Sequence, residues 1–155
     1  MPMLSIEHRQ IAAQPTLFVR RQTSRQDLAA AIGAGLGKAF GFAQAAGAAI
    51  AGPPCVRYVA MSPGLLTIEA GVPLAARMAS AGEVEAGELP GGPILVALHG
   101  GAYDQLSETY AAMERWAAEH GAAFAGAPWE SYLTDPADHP DPADWRTEVF
   151  WPLTK

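Results

Sequence analysis

Residues 47–58 read GAAIAGPPCVRY, and residues 121–132 read GAAFAGAPWESY. Glycine, glycine, proline and tyrosine recur at the same spacing in the two stretches. Each stretch follows an apolar run and precedes a strand pattern that ends in proline, at Pro73 in the first and Pro152 in the second. We therefore predict that one unit is duplicated, as repeat one over about residues 1–78 and repeat two over about residues 79–155.

The two copies differ at one position that bears on chemistry. Val56 in the first copy is replaced by Glu130 in the second. A carboxylate in one copy and an apolar side chain in the other break the symmetry of the duplicated unit. We expect the function to depend on this difference.

Composition and length favour one globular domain. The chain has 155 residues, of which 50% are hydrophobic and 17% charged, and a chain of this length can bury a sizeable core. No apolar run reaches the ~18 residues that a membrane span needs, and the N-terminus lacks the basic and apolar regions of a signal peptide. We expect a cytoplasmic protein without membrane contact. The single cysteine, Cys55, excludes an internal disulfide and a multi-cysteine zinc site, and we expect it to be buried and inert.

Charge argues against nucleic acid as a direct partner, because the net charge is −6. The charge is also uneven: residues 1–77 carry seven Lys/Arg and three Asp/Glu, whereas residues 78–155 carry three and thirteen. This asymmetry is consistent with solvated surface, with attraction between the halves, or with a preference of the second half for cationic ligands.

The periodicity predicts the same order of elements in each repeat: strand, strand, helix, strand, strand. The predicted segments are strands near residues 4–9, 16–21, 55–61 and 65–72, with a helix from Leu28 to about Gly47, and then strands near 83–89, 94–99, 129–133 and 147–151, with a helix from about Leu106 to Gly121. Short connections favour antiparallel pairing. We predict an α+β fold in which two pseudo-symmetric ββαββ repeats form one largely antiparallel sheet, with both helices on one face and a ligand groove between them.

Glu130 is the main candidate for a polar anchor. Strand alternation places Tyr132 on the same face as Glu130, and Val56 and Tyr58 on the corresponding face of repeat one. A partly buried carboxylate has a raised pKa unless it is paired, and it can bind a ligand cation or act as a general acid or base. The alternative is a glutamate on an edge strand that faces water.

Further aromatic and imidazole side chains are candidates for the walls of the groove: Phe40, His99, Tyr103, Tyr110 and Trp129. For the aromatic residues, packing in the core is the alternative. For His99, the alternative is a hydrogen bond to backbone or solvent at the end of a strand. The acidic loop that holds Asp138, His139, Asp141 and Asp144 is interrupted by prolines and lacks a metal-ligand spacing. We predict no metal site and no cofactor.

Five motifs in order resemble the GyrI-like small-molecule-binding domain, which also serves as the effector-binding module of many AraC-type and MerR-type regulators. They are LPGG at 89–92, HGGAYDQL at 99–106, WAAEHG at 116–121, WESYLTDP at 129–136 and TEVFWP at 147–152. The resemblance implies two repeats, a ligand groove between their helices, and a glutamate at the groove floor among aromatic residues. Glu130 occupies that motif position. No segment for a helix-turn-helix is predicted in the 155 residues.

The expected function is binding of an amphipathic, cationic or aromatic drug-like molecule, either to sense it or to sequester it. The resemblance also implies two alternatives. One is hydrolysis of cyclopropane rings in DNA-alkylating toxins, with Glu130 and Tyr132 as catalytic residues. The other is an interaction with a protein partner, a regulator or gyrase. The sequence favours binding over catalysis.

Overall fold

The computed structural model describes residues 3–154, and it divides the chain into two compact units. One unit comprises Ala13–Pro90 and is called the continuous unit. The other comprises Met1–Ala12 and Gly91–Lys155 and is called the split unit. None of the helices in the described part of the chain is long and apolar enough to cross a membrane.

The continuous unit contains four antiparallel strands and one helix. In chain order these are β2 (Gln14–Thr23), α1 (Leu28–Ala45), β3 (Cys55–Met61), β4 (Leu66–Pro73) and β5 (Val84–Leu89), and the strands lie in the order β3-β4-β2-β5. Helix α1 packs on β2 and β4. Its buried face, including Ala39 and Ala43, meets Leu17, Val72 and Val84 in an apolar core.

The split unit has the same composition of elements. It contains β1 (Met3–Ile11), β6 (Gly92–Gly100), α2 (Leu106–Glu119), β7 (Trp129–Tyr132) and β8 (Arg146–Pro152), with the strands in the order β1-β6-β8-β7. Short 3₁₀ turns at Tyr103–Gln105 and Pro142–Asp144 precede α2 and β8. The core forms between the strands and α2, around Leu95, Met113 and Val149.

The sequence prediction of an α+β fold with antiparallel strands is confirmed, as is the order strand, strand, helix, strand, strand in each half of the chain. The compact units, however, differ from the predicted division near residue 78. Strand β1 pairs with β6 of the second half, and β5 pairs with β2 of the first half. Hydrophobic periodicity indicates which residues form a strand, but it does not indicate which other strand pairs with it. The pairing of β1 with β6 and of β5 with β2 is therefore not predictable from the pattern.

One glycine of α1 has a packing role. A Cβ on Gly35 would lie 2.9 Å from the Cβ of Ala70 on β4, which is closer than two carbon atoms pack. The missing side chain therefore lets the helix lie close to the sheet of the continuous unit. At Gly33, Gly37 and Gly41 a Cβ would meet nothing within 4 Å, and the packing does not explain these glycines.

Candidate ligand site

Glu130 lies on β7, where it pairs with Val149 of β8. Its side chain is 4% exposed, although glutamate is usually at the surface. The neighbouring Trp129 points to the opposite face of the strand, because successive side chains of a strand alternate. There the indole is buried and stacks on Phe150, with 5.4 Å between the ring centroids. The WESY segment thus anchors β7 with Trp129 and directs Glu130 and Tyr132 to the face that carries α2.

Both oxygens of the Glu130 carboxylate accept hydrogen bonds from tyrosines. The Tyr110 hydroxyl, on α2, donates to Oε2 at 2.6 Å, and the Tyr132 hydroxyl donates to Oε1 at 2.9 Å. Hydrogen bonds to an ionised acceptor are stronger than neutral ones, so the two hydroxyls fix the plane of the carboxylate. A strand and a helix therefore hold the same carboxylate from two directions.

Aromatic rings continue outward from the two tyrosines. Tyr103 lies 5.6 Å from Tyr132 and 4.7 Å from Trp145, measured between ring centroids. On the other side, Tyr110 meets Trp151 edge-on at 5.7 Å, and Trp151 stacks on Phe124 at 3.7 Å. We call the set of Glu130, Tyr103, Tyr110, Tyr132 and Trp145 the Glu130 site.

The pKa of Tyr103 reflects the negative charge near this site. Burial raises the pKa of the Tyr103 hydroxyl, and the negative charges of Asp135 and Glu130 raise it further. The phenol therefore stays protonated at neutral pH and remains a hydrogen-bond donor. The charges that disfavour a phenolate at this position favour a cation there.

His99, predicted as a ligand contact, is wholly buried instead. Its Nε2 lies 3.0 Å from the carbonyl oxygen of Ala102, and its Nδ1 lies 2.7 Å from Thr109 Oγ1. A carbonyl oxygen only accepts, so Nε2 carries a proton and donates to Ala102, while Nδ1 shares a hydrogen bond with the Thr109 hydroxyl. His99 therefore ties α2 to the loop that leads to Tyr103. Both ring nitrogens are engaged inside the protein.

The structure brings together Glu130, Tyr132, Tyr110 and Tyr103 out of the predicted set. Trp129 is buried on the opposite face of β7, where it stacks on Phe150, so it lies apart from these four side chains. The remaining predicted residues belong to the continuous unit. There Val56 is fully buried on β3, Tyr58 is half-buried on the same strand, and Phe40 is 45% exposed on α1.

Trp145 belongs to the site, although no pattern in the sequence predicts it as a site residue. It lies between the acidic loop and β8, and its indole nitrogen donates to the carbonyl oxygen of His139 at 2.6 Å. Its own carbonyl oxygen accepts from the Gly101 N–H at 3.0 Å. The backbone pairing with Gly101, two residues before Tyr103, brings the two rings together. A loop tryptophan among prolines carries no periodicity that would reveal this contact.

Comparison with solved structures shows where this fold occurs. The crystal structure of the EcmrR C-terminal domain matches with a TM-score of 0.79 at 18% identity, over 100% of this chain and 99% of that chain. EcmrR in a cryo-EM complex with DNA matches with a TM-score of 0.83 at 18% identity, over 99% of this chain, which spans 58% of that chain. SAV2435 bound to tetraphenylphosphonium matches with a TM-score of 0.66 at 12% identity, over 97% and 94% of the two chains.

A protein described as a hydrolase from Listeria innocua matches with a TM-score of 0.63 at 15% identity, over 96% of this chain and 91% of that chain. At such identities the structural matches establish the fold alone. A comparison with curated proteins found no match. The model of one family covers residues 5–154. The chain belongs to the GyrI-like family of small molecule binding domains.

Proposed function

We propose that this protein binds an amphipathic organic molecule that carries a delocalised positive charge or an aromatic system, with Glu130 as the polar anchor. The observation that carries the proposal is the Glu130 carboxylate, which is 4% exposed and accepts hydrogen bonds from Tyr110 and Tyr132. Binding of this kind serves to sense or to sequester the ligand, and we place it in the cytoplasm.

A delocalised cation suits this site better than a compact one. An ammonium ion is strongly hydrated, and its burial costs more than one carboxylate returns. A cation whose charge is spread over aromatic groups is weakly hydrated, and it gains cation–π attraction of about 0.5–2 kcal/mol from each suitable ring. Tyr132 contacts the carboxylate through its hydroxyl, and the rings of Tyr103 and Trp145 continue from it within the split unit, so charge and aromatic surface are offered together.

Calorimetric titration with tetraphenylphosphonium tests the proposal. This probe is chosen because SAV2435, which has a similar fold, binds it. We expect Glu130→Gln to weaken binding of the cation by at least about tenfold, since the variant keeps the shape and loses the charge. Binding of triphenylphosphine oxide, a neutral aromatic analogue, should change by less than about threefold, which corresponds to ~0.6 kcal/mol.

Glu148→Gln is the matched control. Glu148 lies on β8 across from Ser131, next to the Glu130 position on the neighbouring strand, and its side chain is 26% exposed. The Glu148→Gln variant removes one negative charge from the same unit as Glu130→Gln does, and it should leave tetraphenylphosphonium binding unchanged. Equal losses in both variants would show that net charge alone attracts the cation, and no loss in Glu130→Gln would refute the anchor role.

A second candidate function is hydrolysis of a strained ring. The contact of 2.6 Å between the Tyr110 hydroxyl and Glu130 Oε2 favours it. The carboxylate takes a proton from water as the water oxygen bonds to one ring carbon, the C–C bond of the ring breaks, and the released carbon takes the phenol proton. The protonated carboxyl then returns its proton to the phenolate, so both groups are restored. Incubation with a cyclopropane-bearing alkylator, followed by mass spectrometry, should then show a product heavier by one water. Turnover no faster than in the Glu130→Gln variant would leave binding alone.

A further inference from the structure

A second pocket lies in the split unit, between strand β1 and the end of helix α2. Its volume is about 760 Å³, and it opens to solvent. The side chains that give it chemical character are those of His8 and Gln10 from β1, Trp116 and His120 from the end of α2, and Thr154 near the C-terminus. None of them belongs to the Glu130 site.

The two sites are at opposite edges of the split unit. The strands of this unit lie in the order β1-β6-β8-β7, so the second pocket is on the first strand and Glu130 is on the last. On α2, Tyr110 and Trp116 are six positions apart, which places them about 120° apart around the helix axis. Tyr110 reaches Glu130 on β7, whereas Trp116 faces His8 on β1. A ligand beside Trp116 therefore does not contact the Glu130 site.

Trp116 is the centre of an aromatic cleft. One face of its indole is stacked by His120, with 4.0 Å between centroids and 11° between planes. The His8 ring lies 6.3 Å from the Trp116 ring, measured between centroids, and is tilted by 54° to it. The His8 side chain is exposed, so its imidazole can contact a ligand that lies beside Trp116.

The polar groups of the pocket are imidazole, amide and hydroxyl groups. The split unit carries eleven Asp/Glu and four Lys/Arg, yet the described residues that line the pocket include neither acidic side chains nor Lys or Arg. His120 Nδ1 lies 2.8 Å from the carbonyl oxygen of Trp116, and a carbonyl oxygen only accepts, so Nδ1 donates to it and Nε2 is left to meet a ligand. With Gln10 and Thr154, the pocket offers both hydrogen-bond donors and acceptors.

We propose that this pocket binds a neutral, planar heteroaromatic molecule with a hydrogen-bonding edge, in addition to the ligand of the Glu130 site. The ring stacks on Trp116, and its polar edge meets Gln10 and the imidazole groups. A charged ring is disfavoured relative to a neutral one, because no Asp, Glu, Lys or Arg stands among the described lining residues to pair with its charge. The two sites thus select ligands by charge, a cation at Glu130 and a neutral ring at Trp116.

Three probes of the same shape test this selection by NMR of the intact chain. They are quinoline-3-carboxamide, which is neutral, quinoline-3-carboxylate, and the permanently cationic 1-methylquinolinium-3-carboxamide. We expect the neutral probe to shift the indole N–H signal of Trp116 with a dissociation constant of about 0.1–1 mM, as for other fragments of this size. The anion and the cation should bind at this signal at least about fivefold more weakly.

Variants at exposed positions separate the pocket from the fold. Gln10→Ala and His120→Ala should each weaken the neutral probe about three- to tenfold, whereas Gln44→Ala, an exposed glutamine on α1, should have no effect. Glu130→Gln should also leave binding of the neutral probe at Trp116 unchanged. This measurement therefore remains valid if the Glu130 site does not bind a cation. Absence of a shift at Trp116, equal binding of all three probes, or equal losses in Gln10→Ala and Gln44→Ala would overturn the proposal.

Discussion

At the residue scale, Glu130 and His99 show two uses of a buried polar side chain. Glu130 receives two tyrosine hydroxyls and faces aromatic rings, an arrangement that presents charge. His99 is fully buried and holds Ala102 and Thr109, an arrangement that positions a loop. Tyr103 follows Ala102 directly, so the hydrogen bond from His99 to the Ala102 carbonyl oxygen helps to position Tyr103 in the Glu130 site.

Replacement of His99 should therefore loosen Tyr103 and lower stability. In His99→Leu the buried Thr109 hydroxyl and the Ala102 carbonyl lose their partner, at a cost of about 1–3 kcal/mol each. Urea unfolding should show a loss of about 2–4 kcal/mol, and NMR should show a shift of the Tyr103 ring signals. His139→Leu, a change at an exposed loop residue, should stay within about 0.5 kcal/mol. Unchanged Tyr103 signals in a folded His99→Leu variant would contradict the positioning role.

Cys55 provides a prediction of pH dependence. Burial, with a smaller effect of the Glu69 charge, raises the pKa of its thiol to about 12. A thiol of the unfolded chain ionises near pH 8.5, so the unfolded state loses its proton first. The contribution to stability is complete below that pH and declines between about pH 8.5 and 12.

The difference in unfolding free energy between the wild type and Cys55→Ala should therefore shrink by about 1–2 kcal/mol between pH 7.5 and pH 10. Urea titrations at both values measure it, and the comparison with Cys55→Ala cancels the other titrating groups. Iodoacetamide should react slowly with the folded protein at pH 8 and rapidly in concentrated urea. A difference that is constant with pH would show that the thiol ionises equally in both states.

Alternation along β7 is sufficient to predict that Glu130 and Tyr132 share a face, because residues two positions apart in a strand point to the same side of the sheet. Tyr110 is a candidate from the sequence, but its contact with Glu130 is not predicted, since the two residues are 20 positions apart in the chain. Trp145 was not predicted at all. Contacts that depend on how a helix or a loop lies over a strand have no local sequence signal. The pair of Glu130 and Tyr132 is therefore predictable from the sequence, whereas the contacts of Tyr110 and Trp145 are not.

At the scale of elements, helix α1 shows how packing overrides propensity. Glycine in a helix costs about 1 kcal/mol relative to alanine, yet α1 has four of them, Gly33, Gly35, Gly37 and Gly41. The bounds of the helix were still predictable, because Leu28, Ile32 and Leu36 keep the helical period. Which glycine the sheet requires was not predictable, since the distance from Gly35 to Ala70 depends on the tertiary structure.

Alanine at two of these positions should therefore have opposite effects. Gly37→Ala adds a methyl group in open space and should stabilise the protein by about 0.5–1 kcal/mol. Gly35→Ala places its Cβ 2.9 Å from that of Ala70, and it should destabilise the protein by about 1–3 kcal/mol through overpacking. Urea unfolding measures both, and Ala70→Gly should restore part of the loss in the double variant. Equal gains at both positions would show that α1 can move away from the sheet without cost.

At the scale of the whole molecule, the sequence repeats and the compact units differ in their first strands. Strand β1, the first of repeat one, pairs with β6 in the split unit, and β5, the first of repeat two, pairs with β2 in the continuous unit. The periodicity located every strand near its observed position, including β1 and β5. Pairing escaped prediction because β1 and β5 are joined to their successors by two-residue links, Ala12–Ala13 and Pro90–Gly91, which equally suit a hairpin. The chain instead changes units at both links, so neither repeat folds around its own first strand.

Two fragments of equal length test this organisation. Residues 13–90 contain all four strands of the continuous unit, whereas residues 1–78 lack β5 and carry β1, whose partner β6 is missing. Val84 of β5 belongs to the apolar core around α1, and burial of such a side chain contributes about 1.5–3 kcal/mol. The fragment 13–90 should therefore unfold cooperatively in urea, with dispersed NMR signals, and should be at least about 2 kcal/mol more stable than the fragment 1–78. The reverse order of stability would mean that the duplicated unit of the sequence, and not the continuous unit, is the one that folds.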